Sequence, residues 1–314
     1  MVTFRQLSAR PASTGPTVLV LGNFDGVHRG HQALLAKGAE RARALGGRAV
    51  ALTFDPHPSK LLAPSLAPPL LQTLEQRVAA LHTFGADDVW VLAFDRALAQ
   101  TSPEAFVQDY LVAAGAREVV VGYDFSFGRG RSGSTDDLRA LCAGAKIEVH
   151  VIPAVCLPGG LVPSSSKVRE LVLEGRVEAA AELLGRPFEV VGPVVPGAGR
   201  GRTIGVPTAN IQAEGELLPA QGVYAVQVRL PGEATPWPGA ANLGTNPTFD
   251  GARLSLEVHL LDYDGAELYG AQLGVSFVRR LRPERRFSSA EALVAQIRSD
   301  LDEARAALHP VQAQ

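Results

Sequence analysis

The feature that most constrains this 314-residue chain is a change of pattern near residue 186. Ahead of it, the short apolar runs TVLVLGNF, RAVALTF, DDVWVLAF, REVVVGY and IEVHVIP alternate with segments that fit helices. From His31 onward, Leu34, Leu35, Ala39, Ala42 and Leu45 recur near helical spacing. Another helix is predicted near Thr101-Ser102-Pro103-Glu104, where hydroxyl, proline and early acid suit a first turn. Strands alternating with helices build βαβ units around a buried, mainly parallel sheet. Beyond Pro187 the pattern is instead FEVVGPVV, GVYAVQVRL, GAANLGT, LSLEVHLLD and QLGVSFVRRL, punctuated by glycine, proline and asparagine. That spacing predicts a small antiparallel barrel or sandwich. A closing helix is predicted from a Ser288/Glu291 capping box, with Leu293, Ile297, Leu301 and Ala304 on one face. The expected fold class is therefore α/β plus all-β. An α/β parallel-sheet domain spans 1–185, and a small antiparallel β-barrel domain with a C-terminal helix spans 186–314.

Composition narrows the function. A net charge of −2 argues against a surface that coats nucleic acid, while leaving room for small anions held by local donors. The two cysteines, Cys142 and Cys156, lack CxxC spacing, which argues against a disulfide framework or a cysteine zinc site and predicts a cytoplasmic protein. No apolar run reaches the roughly 20 residues of a membrane span, and the N-terminus lacks a signal-peptide core.

The stretch GNFDGVHRGH directly follows the first apolar run. In an open α/β sheet, ligands bind beyond the carboxyl ends of the strands. Gly22, Gly26 and Gly30 let a phosphate approach the backbone. A helix starting near Gly30 or His31 adds free N–H groups and the positive end of its dipole. His28 and His31 can donate hydrogen bonds to a triphosphate and to its pentavalent transition state. Histidines in a turn are often only structural; two at this spacing without a third ligand make a poor zinc site, and no GxGxxG follows the strand. Later, SSSKVR sets Ser164, Ser165 and Ser166 before a helix, with Lys167 and Arg169 in its first turn. These suit β- and γ-phosphates, although alone they read first as an ordinary serine cap.

GNFDGVHRGH resembles the HxGH element of the nucleotidyltransferase superfamily, and SSSKVR resembles its serine-rich element. LTFDPHP and VVVGYDFSFGRGRSG resemble one branch, the FMN adenylyltransferase module of bacterial bifunctional riboflavin kinase/FAD synthetases. The resemblance implies an adenylyl-transfer site with Gly22, Asn23, Phe24, Gly30, Ser164, Ser165 and Ser166 around the nucleotide. His28, His31 and Arg169 would be the catalytic groups, with Asp124, Phe125 and Phe127 at the flavin. By alternation alone, Phe125 and Phe127 are equally core.

The second half carries GRGRTIGVPTANI. A threonine hydroxyl and an asparagine carbonyl two residues apart, Thr208 and Asn210, can face one hard cation such as Mg²⁺, although PTAN alone reads as well as a β-turn. Gly199, Gly201 and Gly205 would give a loop over phosphates. In LSLEVHLLD, Glu257 lies on the face opposite its apolar neighbours. If that face lines the barrel mouth, it is placed as a proton acceptor; otherwise it is a solvated strand position. GVPTAN, GVYAV, NLGTNPTF, LEVHLLDYDGAELYG and LVAQIRSDLDEAR together resemble the riboflavin kinase module. That resemblance implies that Thr208 and Asn210 hold Mg-nucleotide and Glu257 is the base, with Gly205 of the glycine loop at the phosphates by the reading above. Pro163, Ser166, Ser134 and Asn246 depart from the family's commoner residues, and none removes a proposed catalytic group.

The implied activity is two-step: riboflavin and ATP give FMN, then FMN and a second ATP give FAD and pyrophosphate. Mg²⁺ is the expected cofactor. The expected partners are riboflavin, FMN and ATP, with no nucleic acid, no membrane and at most weak homo-oligomerisation. The rivals are an enzyme with only the kinase site live, and a flavin- or nucleotide-binding regulator without turnover.

Overall fold

In the computed structural model, residues 2–4, 15–197, 205–248, 251–265 and 267–308 are described. The chain divides into two compact units, Met1–Ser164 and Ser165–Gln314.

The first unit contains, in order, β1 (Val2–Phe4), β2 (Thr17–Leu21), α1 (Arg29–Leu45), β3 (Arg48–Asp55), α2 (Pro58–Leu62), α3 (Leu74–Thr83) and β4 (Asp88–Ala93). It continues with α4 (Arg96–Ala99), α5 (Pro103–Phe106), β5 (Ala116–Gly122), α6 (Thr135–Gly144) and β6 (Glu148–Ile152). The six strands lie in the order β1-β4-β3-β2-β5-β6, every pairing parallel. The predicted strands thus form one parallel sheet, covered on both faces.

Alternation assigns the two faces. Leu19, Leu21, Val50, Leu52, Val119 and Val121 pack with Phe106, Leu111 and Leu138 on one side. Val18, Val20, Ala49, Ala51 and Val120 pack with Leu34, Leu35, Ala42, Val78 and Leu81 of α1 and α3 on the other. Period two in each strand and 3.6 in each helix account for this division. Helix α1 lies close on β2, since a Cβ at Gly38 would sit 2.4 Å from Val20 Cγ2. The sheet order reverses direction at β2, which pairs with β3 on one side and β5 on the other. Doubly wound sheets open their ligand crevice at such a point.

The second unit opens with α7 (Ser165–Leu173) and α8 (Val177–Leu184). Then come β7 (Phe188–Val195), β8 (Ala209–Ile211), β9 (Gly222–Arg229), β10 (Trp237–Thr248), β11 (Gly251–Leu260), β12 (Gln272–Arg282) and α9 (Ala290–Leu308). The strands close into a barrel ordered β10-β11-β8-β7-β12-β9. Inward residues such as Tyr224, Val226, Leu243, Leu256 and Val258 are buried. On the outside, Ala225 and Ala240 receive Ala304 and Leu301 of α9. Arg282 fastens that helix, pairing through Nη2 with Asp300 Oδ2 at 2.7 Å.

Packing places α7 and α8 with the barrel, whereas the sequence boundary near residue 186 placed them with the parallel sheet. The turn after α7 explains the grouping. Arg280 of β12 donates to the Glu174 carbonyl at 3.3 Å, and Ala220 N to the Val172 carbonyl at 3.3 Å. Gly175, at φ 74°, fits under Arg280 and Tyr224, where a Cβ would meet both at 2.9 Å. Three local expectations shift. The cap of α9 is Ser289, whose Oγ accepts from Ala292 N at 3.2 Å, in place of Ser288. Leu293 is 37% exposed, and α9 packs on the barrel through Leu301, Ala304, Ala307 and Leu308. Helix α1 starts at Arg29, with His28 as its cap.

Candidate active sites

Between β2 and α1, the backbone of GNFDGVHRGH turns through left-handed conformations at Phe24 (φ 54°), Gly26 (φ 84°) and Val27 (φ 41°). Phe24 and Val27 are fully buried, so apolar packing holds two side chains where an L-residue is disfavoured. Such strain concentrates at ligand clamps and active sites.

His28 is buried, and its Nδ1 accepts the His31 backbone N–H at 3.4 Å. A neutral His28 therefore carries its proton on Nε2. Its ring stacks on His31 with centroids 3.7 Å apart and planes 21° apart. Phe24 meets the His31 ring edge-on at 5.2 Å. Burial first, and the neighbouring His28 second, hold the His31 imidazole well below the usual histidine range, so it is neutral. Its Nδ1 is buried and has no hydrogen-bond partner among the described residues. Gly22 and Gly30 are small for local reasons. A Cβ at 22 would press on the Phe24 ring at 3.1 Å, and one at 30 on the His28 ring at 3.1 Å. The Pro163 carbonyl lies 3.7 Å from that Gly30 position, which brings the lead-in to Ser164 beside the start of α1.

Because β2 and β5 are parallel neighbours, the loop after β5 opens on the same sheet edge. There Asp124 is exposed, Phe125 is half-buried and Phe127 is core at 6% exposure. Phe127 stacks on Phe125 at 5.7 Å and packs on Phe106 at 5.5 Å, and its backbone is bridged to Gly133. Packing therefore accounts for Phe127, and Asp124 and Phe125 are the members of that trio open at this edge. Of SSSKVR, Ser164 closes the first unit; Ser165 begins α7, Ser166 is exposed and Arg169 is 9% exposed. Lys167, expected at phosphates, is paired with Glu170.

In the barrel, PTAN leads into a strand: Pro207 and Thr208 precede β8, and Ala209 and Asn210 open it. Asn210 lies directly opposite Glu257 of β11, and Glu257 directly opposite Asn242 of β10. Directly opposed antiparallel residues share a face, so Asn210, Glu257 and Asn242 form one row. Asn242 shares its side of β10 with Ala240, which packs on α9, so the row is on the outer wall of the barrel rather than inside its mouth, and half-burial distinguishes Glu257 from a fully solvated strand position. Glu257 is half-buried there, with Ser255 Oγ 3.3 Å from its Oε1. His259, two residues on, binds the Pro207 carbonyl through Nδ1 at 2.7 Å. A carbonyl only accepts, so Nδ1 carries the proton. Thr208 is half-buried in the segment this bond secures, and Gly205 has φ 78°. Gly199 and Gly201 lie outside the described residues, as does the side chain of Asn246.

Sequence reasoning missed Thr53, Asp25 and Arg77, which hold the first loop from behind, and His259 and Asn242, which flank Glu257. The EVH spacing in β11 contained the signal for His259, because alternate residues share a face.

A nucleotide-type α/β half with stacked histidines at its switch point, joined to a barrel with an asparagine–carboxylate row, defines a two-site enzyme class. A family model for FAD synthetase matches residues 10–166 and one for riboflavin kinase matches 184–308. The chain belongs to the bifunctional riboflavin kinase/FMN adenylyltransferase family. Proteins of that description from Listeria monocytogenes and Pseudomonas fluorescens are 39% and 41% identical to it, over 92% and 96% of this chain and 91% and 96% of theirs. The Escherichia coli K12 relative is 41% identical, covering 90% of each. A solved Streptococcus pneumoniae structure, described as a macrolide-efflux protein, superposes with TM-score 0.87 at 31% identity, over 97% of this chain and 98% of that one. Among the described residues, no helix is long and apolar enough to cross a membrane.

Proposed function

We propose that the two steps of FAD synthesis run at the two sites described, with roles assigned residue by residue. The chain phosphorylates riboflavin with ATP and adenylylates FMN with a second ATP. The assignment to these residues rests on one observation above others: Asn210 and Glu257 are directly opposed across β8 and β11, beside the Pro207–Thr208 segment.

In the kinase step, Glu257 takes the proton of the riboflavin 5′-hydroxyl. The freed oxygen attacks the γ-phosphorus of ATP, its bond to the β-bridging oxygen breaks, and ADP leaves. Thr208 and Asn210 offer a hydroxyl and an amide oxygen, hard donors of the kind Mg²⁺ takes, and would hold the ion with the nucleotide. When bound, Mg²⁺ supplies charge neutralisation at the phosphates. Gly205 keeps the approach to those phosphates free of side chain.

In the adenylyl step, a phosphate oxygen of FMN attacks the α-phosphorus of ATP, and pyrophosphate leaves with its bridging oxygen. No protein nucleophile takes part. His28 and His31 donate to the phosphate oxygens as charge builds in the transition state. The neutral state of His31 supports this role, since a neutral imidazole still has one N–H to donate. Gly22, Asn23, Phe24 and Gly30 shape the backbone around the nucleotide. Ser164, Ser165, Ser166 and Arg169 serve the β- and γ-phosphates, and Asp124 and Phe125 the flavin. Phe127 supports Phe125 from the core. We assign the functional boundary to about residue 185, which the matches over 10–166 and 184–308 support, and we assign the enzyme to the cytoplasm, which its use of ATP supports.

The test is a separation of activities in the full chain. Glu257→Gln is expected to cut FMN formation by about 10²- to 10⁴-fold and to leave FAD formation from supplied FMN intact. His28→Ala and His31→Ala are expected to do the reverse. FAD formation at the wild-type rate in both histidine variants would sink the first assignment.

A further inference from the structure

We propose that Arg77 is a positioning residue for adenylyl transfer: from α3 it holds the Asn23 carbonyl, and through it the strained Phe24 that supports His31. The inference rests on the assignment of His28 and His31 above and adds a residue that this assignment does not include.

Arg77 is 3% exposed, and a guanidinium so buried is costly unless its donors are used. Its Nη1 donates to the Asn23 carbonyl at 3.0 Å and its Nη2 to the Phe54 carbonyl at 3.1 Å. These carbonyls lie just beyond β2 and at the end of β3, so one planar group ties two neighbouring strand ends at the ligand edge. The carboxylate of Asp55 lies 3.9 Å away, and buried Asp25 adds a second nearby negative charge. Asp25 in turn accepts the Leu71 N–H at 2.9 Å. The 71–77 segment therefore grips the loop at residues 23 and 25. Its own shape is set by a capping box at the start of α3, with Gln76 N donating to Thr73 Oγ1 at 3.2 Å and Thr73 N to Gln76 Oε1 at 3.0 Å.

The Asn23 carbonyl is also held by Thr53 Oγ1 at 3.0 Å. With that peptide plane fixed, Phe24 stays at φ 54°, a conformation an aromatic residue leaves unless it is held. The Phe24 ring then sits under Gly22 and edge-on to His31. Packing alone does not call for an arginine here, because an apolar side chain of similar length would fill the space without a buried charge. The fork geometry, with two donors to two carbonyls, is what arginine adds.

The experiment uses the full chain with Arg77→Met, Arg77→Lys and, as control, His31→Ala. It measures kcat and KM for FAD formation, FMN formation by the same preparations, and the imidazole resonances of His31. Arg77→Met is expected to lower kcat for FAD formation by about 10- to 100-fold, the scale of an ångström-level misplacement. KM for ATP and FMN is expected to stay within about threefold, since transition-state donors act on kcat. The His31 resonances should move and FMN formation should not. Arg77→Lys, with the charge but one donor centre, should fall between. A kcat within about twofold of wild type in Arg77→Met, with His31→Ala inactive, would overturn this inference alone. If Arg77→Met does not fold, Arg77→Lys decides: a loss of about threefold or more supports the inference and a smaller one overturns it. Full activity in His31→Ala would overturn the site assignment and this inference with it.

Discussion

Gly197, two residues beyond the strand that pairs with Asn210, gives a sharp test of the kinase site. A Cβ built there would lie 2.0 Å from Asn210 Nδ2, 2.4 Å from its Cγ and 2.8 Å from its Oδ1. Gly197→Ala therefore cannot coexist with the present Asn210 side chain. Gly197 is exposed, and the obstacle is the end of a movable side chain, so the fold has an inexpensive response. The Asn210 amide must retreat by about 1.4 Å to restore ordinary contact near 3.4 Å. The stability change should stay within about 0.5 kcal/mol, as for other exposed substitutions. Displacement of the amide from its place opposite Glu257 should cost on the order of 10²-fold in riboflavin kinase kcat/KM. The assay follows FMN formation with MgATP and, in the same preparation, FAD formation from supplied FMN. Kinase activity within about threefold of wild type, with the alanine present and the barrel folded, would refute the claim that Asn210 must hold its position.

Three further outcomes are expected. Glu118 is buried at the base of the first sheet, bound by Arg41 through two 2.7 Å hydrogen bonds and by His150 Nε2 at 2.7 Å. Glu118→Gln should cost about 2–3 kcal/mol in denaturant unfolding, less than a fully buried ion pair because Arg41 and His150 are partly exposed. The Arg41 hydrogen bonds hold the Glu118 carboxyl below the usual range, so this stabilisation is present above about pH 4.5 and is lost as pH falls through the folded-state value. Burial holds His31 below its usual value, so the unfolded chain takes up its proton first as pH drops below about 6.5. Wild type should thus lose stability between pH 7.5 and 5.5 relative to His31→Gln, and parallel pH dependences would contradict the neutral assignment. His259→Leu removes the donor to Pro207 and should raise KM for MgATP by about fivefold or more, with a smaller change in kcat; an unchanged KM would show that the segment holds itself.

Much of the fold was legible because it rests on local periodicity. Runs such as RAVALTF, with both faces apolar, are what a doubly covered parallel sheet requires, and the sheet contains them. The alternation in LSLEVHLLD likewise set Glu257 apart from Leu256 and Val258. Candidate site residues could be singled out where a short segment carries them together, as in GNFDGVHRGH and PTAN. Arg77 was not, since its meaning depends on carbonyls 54 and 23 residues away in the chain. The pairing of Lys167 with Glu170 was set by i,i+3 spacing on one helix, which the sequence shows directly.

The sequence alone determined the two fold types, the order of the modules and the residue types available for chemistry, because these follow from patterns within a dozen residues. Tertiary structure decided the rest. It set which loops share a sheet edge, that the Asn210–Glu257–Asn242 row faces outward beside a helix, and that α7 and α8 pack with the barrel. Strand pairing and helix docking join residues far apart in the chain, and no local pattern specifies which partner a strand or helix will find.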